Sequence, residues 1–470
     1  METTLATDAS RTDTSTRRNF LTTGAVLGAA SLSSRWLAAA EDALILSNDD
    51  PVRVLVIGSG ARGSDLIRAL ATIQGATIVG VADDYPPHLA KGLEYAGKQA
   101  AGFDDYRAAL KQLRPHAVVI AVPLHLHYQV ALDALAAKCA IFCEKSMCGT
   151  IEQAQKLFDA VQSEKAVFQI GLQRHANPIY VQAQAMIESG MLGQITAIKA
   201  QWHRHNSWRR PLPIARDHAD WAKLEQKLNW RLYKAYSGGL MTELGSHQMD
   251  VVNWCLGTLP KRVMASGGID YWRDGRDVYD NIFCQYEYEL QPTVPAALKP
   301  TPNDPKSAAE AAAAPKPYTV RVTYSSLCNN AYEGAAELIM GTRGTLYLTS
   351  GKGLFFKENI PKEVQWAAGG DGQQRAKTNA GVITAGQTLK LSNDPWAHRG
   401  VPLEIDNDSG DDTRGELVAF LDHSHRHDPA TIADAKVALG DAATVLLANQ
   451  AAEQGSWVEV PKGVRAKVEG

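Results

Sequence analysis

Apolar runs and segments of helical spacing alternate along the first third of the chain. The run Val52 to Ile57 is β-branched and ends at glycines, which is typical of a buried parallel strand. Further strands are predicted at 77–82, 117–122, 140–143 and 166–171, and helices at 64–73, 106–113, 128–137 and 151–163. This alternation predicts an α/β fold that opens with a parallel, doubly wound sheet covered by helices on both faces.

The pattern changes after a predicted helix at 177–189. Longer segments in which apolar and polar residues alternate predict a large, mostly antiparallel open sheet with one solvent-exposed face. These segments are 195–205, 262–268, 281–289, 318–324, 335–340 and 344–349. The stretch 290–317 is rich in Ala, Pro and Lys and predicts a flexible insertion, and 430–453 predicts a long Ala-rich helix. The expected domains are therefore 50–173 and 174–465.

Composition narrows the class of protein. The chain has 470 residues, 45% hydrophobic and 21% charged, and a formal net charge of −3. A chain of this length is expected to form two globular domains. Its net charge is negative, so it lacks the positive charge that would favour binding to nucleic acid. The six cysteines include no C-x-x-C pair, so free thiols are expected and no metal site is predicted.

The N-terminus resembles a twin-arginine export signal within residues 1–45. Arg17-Arg18 precedes a mild apolar run at 21–32, and small residues at 38–40 suit a signal peptidase. The apolar run is too short to span a bilayer, so no membrane span is expected in the mature protein. A periplasmic or exported location is therefore predicted.

A glycine-rich loop follows the first strand and opens the first helix. Its sequence is Gly58-Ser59-Gly60-Ala61-Arg62-Gly63, which in this context predicts a Rossmann dinucleotide site. Asp83 ends the second strand, where an acid accepts hydrogen bonds from ribose hydroxyls. Asp84 follows, and two acids would repel a 2′-phosphate, so NAD is preferred over NADP.

Two further strand ends carry polar residues. Pro123 and His127 follow the strand at 117–122, and Glu144-Lys145 ends the next strand. Ligands of open α/β sheets bind at such strand ends. With these motifs the chain, over residues 52–460, resembles the glucose–fructose oxidoreductase, inositol dehydrogenase and rhizopine catabolism (Gfo/Idh/MocA) family.

The resemblance implies that Lys145 lies beside nicotinamide and substrate. The family has Glu-Lys-Pro where this chain has Glu144-Lys145-Ser146, which leaves the geometry of the local peptide open. Lys145 would polarise a substrate hydroxyl or stabilise its alkoxide. An ordinary surface lysine is the alternative.

A second family-like block runs from Ser237 to Asp250. It places Glu243 and His247 four residues apart, on one face if the segment is helical. His247 is the expected general base, oriented by Glu243 and supported by Asp250. The family has Asp at the position of Glu243, and a structural role for this face is the alternative.

The remaining candidates lie on the approach to the second domain. Gln173 and Arg174 are expected to contact cofactor or substrate, with interdomain packing as the alternative. Trp202 and Trp230 suit the apolar faces of a sugar but equally suit a core, and Trp208, Arg209 and Arg231 lie nearby in sequence. The run His423 to His427 is interpreted as a solvated surface.

The predicted function is transfer of hydride between a sugar, polyol or glycoside hydroxyl and a tightly bound nicotinamide cofactor. The alternative is an NAD-dependent glycoside hydrolase that works by transient oxidation, elimination, water addition and re-reduction. Export favours this alternative because such a cycle needs no cofactor recycling. A non-catalytic NAD-binding sensor is the third possibility. The exposed sheet face predicts a homodimer or homotetramer.

Overall fold

The computed structural model describes residues 50–291, 317–358, 403–406 and 412–470. The predicted export signal and nearly all of the predicted insertion lie outside the described residues. Within the described ranges, no helix is long and apolar enough to cross a membrane.

The first sheet contains six parallel strands. Their bounds are β1 Val52–Ile57, β2 Ala76–Ala82, β3 Ala101–Phe103, β4 Ala117–Ile120, β5 Ala140–Glu144 and β6 Phe168–Gly171. The helices between them are α1 Ala61–Leu70, α2 Pro86–Ala96, α3 Tyr106–Leu113, α4 Leu124–Ala136 and α5 Ile151–Glu164. The spatial order β3-β2-β1-β4-β5-β6 reverses direction between β1 and β4, where ligands of doubly wound sheets bind.

The second sheet contains nine described strands. Their bounds are β7 Ile195–His205, β8 Arg262–Gly268, β9 Asn281–Leu290, β10 Tyr318–Leu327, β11 Asn329–Gly341, β12 Gly344–Leu348, β13 Lys352–Lys357, β14 Leu403–Asp406 and β15 Val458–Glu459. Their order is β14-β13-β12-β11-β7-β10-β9-β8-β15, and β7 and β10 pair in parallel while the other pairs are antiparallel. The predicted fold class is confirmed.

Helices pack on this sheet: α6 Pro178–Glu188 lies on β12 to β14, α8 Ser246–Leu256 on β7, and α10 Ala435–Gln454 on β8 and β15. The other helices of this part are α7 Trp221–Leu228, α9 Asp412–Arg426 and α11 Lys462–Glu469, and α9 packs against α1 and β1 of the first sheet. In β9, the side chains of Ile282, Tyr286 and Tyr288 are buried, whereas Phe283 is 53% exposed. The alternation that predicted a one-sided sheet thus has its structural counterpart in β9.

The pattern of apolar and polar residues predicted the ends of helices least accurately. Helix α1 begins at Ala61 and not at 64, because the glycine loop itself forms the first turn. Helix α4 begins at Leu124, directly after Pro123, and not at 128. Helix α2 was not predicted. It begins with Pro86 and Pro87, and proline is tolerated in the first helical turn, where its missing N–H is not needed.

Candidate functional site

Close packing explains two glycines of the loop. Gly58 has φ +91°, and a Cβ there would lie 2.5 Å from the carbonyl oxygen of Ala121. A Cβ on Gly63 would lie 2.0 Å from the carbonyl oxygen of Gly58, so α1 packs directly on the loop. At Gly60 the nearest atom would be 3.7 Å away, on the His88 ring. Gly60 therefore leaves open space at the helix N-terminus, where free N–H groups favour a phosphate.

Asp83 lies at the end of β2, beside the loop. Its carboxylate accepts hydrogen bonds from the backbone N–H groups of Ser59, at 2.8 Å, and Tyr85, at 2.9 Å. Oδ2 also accepts a hydrogen bond from the Ser59 hydroxyl at 3.3 Å, whereas Oδ1 keeps a further acceptor site for a ribose hydroxyl. Asp84 instead forms an ion pair with Lys227 at 2.9 Å. The two predicted acids therefore differ, and Asp84 is not an isolated charge.

A groove of about 310 Å³ runs from this loop across the carboxyl ends of the strands. Gly58, Gly60, Ala61, Asp83 and Pro123 line it from the first sheet. The segment that follows β7 contributes Arg210, Lys227, Trp230 and Arg231. The glycine cradle, the ribose acid and the helix N-terminus together fit a nicotinamide dinucleotide.

Arg62 connects the loop with other elements. Its Nε donates to Glu144 Oε1 at 2.6 Å, and its Nη2 donates to Glu416 Oε1 at 2.8 Å. Its Nη1 donates to the hydroxyl of Thr413 at 3.0 Å. Thr413 and Glu416 lie on α9, so Arg62 and Glu144, both expected at the cofactor, form an ion-pair cluster along its edge.

Both ring nitrogens of His127, which lines the cavity described below, contact backbone carbonyl oxygens. Its Nδ1 lies 2.9 Å from the carbonyl oxygen of Ser146, and its Nε2 lies 2.9 Å from that of Val122. Burial lowers the pKa of this imidazole. The two contacts hold the ends of β4 and β5 in register, next to a cis peptide bond between Lys145 and Ser146.

A second cavity of about 250 Å³ adjoins the groove. Arg62, Ala121, Val122, Trp230 and Arg231 line both spaces. The predicted residues Lys145, Gln173, Trp230, Glu243 and His247 all line the second cavity. The structure thus brings the principal catalytic candidates together beside the dinucleotide groove.

Lys145 and Glu243 meet across the two halves of the chain. Lys145 Nζ donates to the backbone carbonyl oxygen of Glu243 at 2.8 Å and lies 4.0 Å from its Oε2. Arg231 Nε donates to the same Oε2 at 2.7 Å. Burial would raise the pKa of Glu243, but the charges of Arg231 and Lys145 outweigh it and the pKa is lowered. Burial also lowers the pKa of Lys145.

His247 differs from its expected surroundings. Residues Met241–Gly245 form a π-turn, so the regular four-residue spacing between Glu243 and His247 does not apply, and Glu243 pairs with Arg231. Nδ1 of His247 is buried without a hydrogen-bond partner among the described residues. Burial first, and the charge of Lys145 next, hold the pKa of His247 well below 6.5. The imidazole is therefore neutral at pH 7 and able to accept a proton.

Three other candidates have different neighbours from those expected. Asp250 pairs with His175 at 3.0 Å, and the ring of His175 stacks on Trp254; no contact supports His247 from this carboxylate. Arg174 points to Asp412, with Nη1 2.6 Å from the carboxylate, and is buried. Trp202 lies behind His247, with ring centroids 5.3 Å apart. These residues surround the site without lining its cavity.

Two arginines of the cavity were not among the sequence candidates. Arg204 lies on β7 two positions after Trp202, so the alternation of the strand places both side chains on one side. Arg231 was named from the sequence only as a neighbour of Trp230 along the chain, and its contact with Glu243 depends on the π-turn. The aromatic residue between them, Trp208, has φ +64° and folds back over Arg204.

The histidine run at the end of α9 contains a local ion pair. His423 Nδ1 lies 3.1 Å from the Asp428 carboxylate. Among the described residues, no group of three His, Cys, Asp or Glu side chains is placed to hold a metal ion.

Two family models match the chain. The model described as "Oxidoreductase family, NAD-binding Rossmann fold" matches residues 52–172, and "GFO/IDH/MocA C-terminal domain" matches residues 180–294. Both matches fall within the span 52–460 over which the motifs resemble this family.

Curated relatives match about a third of the chain. Levoglucosan dehydrogenase of Pseudarthrobacter phenanthrenivorans is 27% identical over 179 residues, which are 35% of this chain and 42% of that protein. Inositol 2-dehydrogenase of Salmonella typhimurium is 33% identical over 141 residues, 30% of this chain and 42% of that protein. The matched segments thus span about two fifths of these relatives.

The fold is similar to solved structures over a longer range. A levoglucosan dehydrogenase in complex with NADH and L-sorbose superposes with a TM-score of 0.61 at 18% identity. The superposition covers 88% of this chain and 99% of the other.

Proposed function

Because the chain belongs to the GFO/IDH/MocA oxidoreductase family, we propose that it oxidises a hydroxyl of a sugar, polyol or glycoside with a tightly bound NAD. One observation carries the proposal. A neutral, buried His247 and the ammonium of Lys145 line one cavity, and that cavity opens into the groove with the glycine loop and Asp83.

The residues divide the chemistry between them. When bound in the groove, NAD accepts the carbon-bound hydrogen of the alcohol together with its electron pair. His247 takes the hydroxyl proton, because its imidazole is neutral and has no competing partner at Nδ1. Lys145 stabilises the negative charge that develops on the oxygen, and the Glu243 carbonyl holds its ammonium in place.

The cavity lining suits a carbohydrate. Trp208 and Trp230 offer apolar faces, and Gln173 and Arg231 offer polar groups beside them. Two relatives are named for a sugar anhydride and an inositol, which supports a polyhydroxylated substrate.

The preference for NAD rests on Asp83. Its carboxylate is fixed by two backbone N–H groups at the place where the adenosine ribose lies in Rossmann sites. A 2′-phosphate there would meet a fixed negative charge. Lys227 neutralises Asp84 only, so the charge of Asp83 is the main discriminator.

A resident cofactor would suit an exported enzyme. The pair Arg17-Arg18 supports export of a folded, loaded protein to the periplasm. The segment that follows β7 covers the groove with Arg210, Lys227 and Trp230, and the Lys227–Asp84 ion pair joins this cover to the first sheet. Such a cover would slow release of the dinucleotide.

We also propose assembly into a homodimer or homotetramer. Met264 and Phe283 lie on the uncovered face of the second sheet and are 39% and 53% exposed. Burial against a second copy would remove this apolar surface from water. Light scattering coupled to size exclusion tests the assembly.

The function is tested on the purified protein. Absorbance of extracted nucleotide shows whether NAD is retained. The protein is then incubated with free sugars, polyols and glycosides, and reduction of NAD, measured at 340 nm, and release of the aglycone are both recorded. Cofactor reduction without aglycone release supports the oxidoreductase. Aglycone release without net reduction supports the NAD-dependent glycoside hydrolase instead. Binding of sugar with neither reaction indicates a sensor.

A further inference from the structure

Arg204 is a cation of the substrate cavity without an anionic partner. It lies near the end of β7, and its guanidinium stacks on the indole of Trp208 with 3.8 Å between its Cζ and the ring centroid. Nε and Nη2 are both buried and donate to no atom of the described residues. A buried guanidinium normally has its donors paired, so this arrangement requires an explanation.

The other charges of the cavity are already matched. Arg62 pairs with Glu144 and Glu416, and Arg231 pairs with Glu243. Lys145 donates to the Glu243 carbonyl. Glu144 and Glu243 are the two acids that line the cavity, and each is engaged by one of these arginines. No acid of the described lining is left for Arg204.

The Cys328 thiol beside Arg204 does not supply an anion either. Arg204 contacts the thiol of Cys328, and burial raises the pKa of that thiol, so it is neutral. Burial also lowers the pKa of Arg204 itself, which reflects the energetic cost of holding its charge away from water. Stacking on Trp208 covers one face of the guanidinium but cannot neutralise it.

We propose that the substrate carries a carboxylate, as a uronic or aldonic acid or a glycoside of one does, and that Arg204 binds this group. The proposal rests on the function proposed above and names the substrate class of the same site. The cavity lining contains four cationic side chains, Arg62, Lys145, Arg204 and Arg231, against its two acids and Glu416, which Arg62 contacts from outside the lining. An anionic substrate compensates this excess, and the planar fork of arginine matches a carboxylate with two hydrogen bonds.

Matched substrate pairs test the proposal on the cofactor-loaded protein. Glucuronate is compared with glucose, galacturonate with galactose, and glucose 6-phosphate is included as an anion of different geometry. The expected result is a kcat/KM for each uronate roughly 100-fold above that for its neutral partner. Equal values for acid and neutral sugar, or a preference for the phosphate, would overturn the proposal.

Variants then assign the preference to Arg204. In R204Q the ratio of kcat/KM between uronate and neutral sugar should fall close to one, and in R204K it should be intermediate because lysine lacks the fork. The control is R262Q, which removes another arginine stacked on a tryptophan, Trp457, outside the cavity. An unchanged ratio in folded R204Q would contradict the role of Arg204.

A binding measurement separates this inference from the proposed reaction. Glucuronate should raise the thermal midpoint of the wild type and of R262Q, but not that of R204Q or R204K to the same extent. If no sugar of the panel is oxidised and this shift is still seen, the reaction proposed above fails while the carboxylate site stands. If oxidation occurs and no uronate-specific shift is seen, the carboxylate site fails alone.

Discussion

The ammonium of Lys145 donates a hydrogen bond to the backbone carbonyl oxygen of Glu243 at 2.8 Å. Lys145 follows β5 of the first sheet, and Glu243 lies in the π-turn before α8. A backbone oxygen cannot accept the proton of the ammonium at neutral pH, so this bond positions the charge without removing it. The carboxylate of the same residue is meanwhile held by Arg231.

Loss of this ammonium should abolish catalysis and spare cofactor binding. K145M is expected to lower kcat roughly 100-fold or more, because the ammonium no longer stabilises the negative charge that develops on the substrate oxygen. NADH affinity, measured by fluorescence titration, should stay close to that of the wild type. K199M, which removes an exposed lysine paired with Glu333, is the control. Equal loss of NADH binding and turnover would assign Lys145 to the cofactor instead.

The pH profile should report the environment of His247. Its pKa lies well below 6.5 because the ring is buried and Lys145 adds positive charge, so the base remains neutral as pH falls through 6.5. The rate of sugar oxidation should therefore decline only at more acidic pH. Burial lowers the pKa of Lys145 from 10.5, so the alkaline limb should begin below that value.

Substitution of His247 provides the corresponding check. H247Q should lower kcat/KM by roughly 100- to 10,000-fold and remove the acidic limb. H175Q is the comparison variant, because His175 is paired with Asp250 outside the cavity. An acidic limb that persists in residual H247Q activity would exclude His247 as the base.

Alanine substitutions at two glycines of the loop should have different effects, one on cofactor binding and the other on stability. G60A should fold normally, since the nearest atom to a new Cβ is 3.7 Å away, yet weaken NADH binding about 10-fold by occupying space beside the pyrophosphate. G63A places a Cβ 2.0 Å from the Gly58 carbonyl and should lower the free energy of unfolding by about 1–3 kcal/mol. Urea denaturation and fluorescence titration measure the two effects.

Cofactor preference should depend on Asp83 more than on Asp84. D83N removes the fixed charge beside the ribose and should narrow the NADH-to-NADPH affinity ratio about 10-fold or more. D84N should change the ratio less, because Lys227 already neutralises Asp84. Titrations with both reduced cofactors measure the ratios, and a larger effect of D84N would contradict this assignment.

Glu337 should make stability depend on pH. Burial raises the pKa of this carboxyl from 4.5 to about 7, and its Oε2 accepts a hydrogen bond from Tyr180 at 2.8 Å. The folded state therefore holds a proton that the unfolded state loses between about pH 4.5 and 7, so folding becomes less favourable as pH rises.

The amide variant should remove this dependence. E337Q keeps an acceptor for Tyr180, and its stability relative to the wild type should rise by up to roughly 3 kcal/mol between pH 5 and pH 8. Urea unfolding at both pH values measures the difference, and E333Q, at an exposed site on the same strand, is the control. A difference that does not change with pH would contradict the buried, protonated carboxyl.

The sequence was sufficient for most strands of the two sheets and for the loop, because both depend on local pattern, but it missed helix α2 and strand β3. Strand β1, the glycines after it and Asp83 are fixed by periodicity and by close backbone packing. Lys145 and His247 could be nominated from family-like motifs. Their shared cavity depends on contacts between residues about a hundred positions apart, which no local pattern contains.

The partners of the charged residues could not be predicted in the same way. Regular helical spacing places Glu243 beside His247, but the π-turn directs Glu243 to Arg231. Asp250 was assigned to His247 on sequence distance and instead meets His175. Arg204 was singled out because its buried Nε and Nη2 lack hydrogen-bond partners among the described residues, and this can be seen only in the three-dimensional structure.

The cluster around Arg62 makes the phosphate loop and a distant helix thermodynamically dependent on each other. Arg62 contacts Glu144 next to Lys145, and Thr413 and Glu416 on α9, about 350 residues away in the chain. A dinucleotide that binds only this arrangement stabilises every element that completes it. Binding of a dinucleotide at the loop should therefore slow amide hydrogen exchange in α9, although this helix is about 350 residues away from the loop in the sequence.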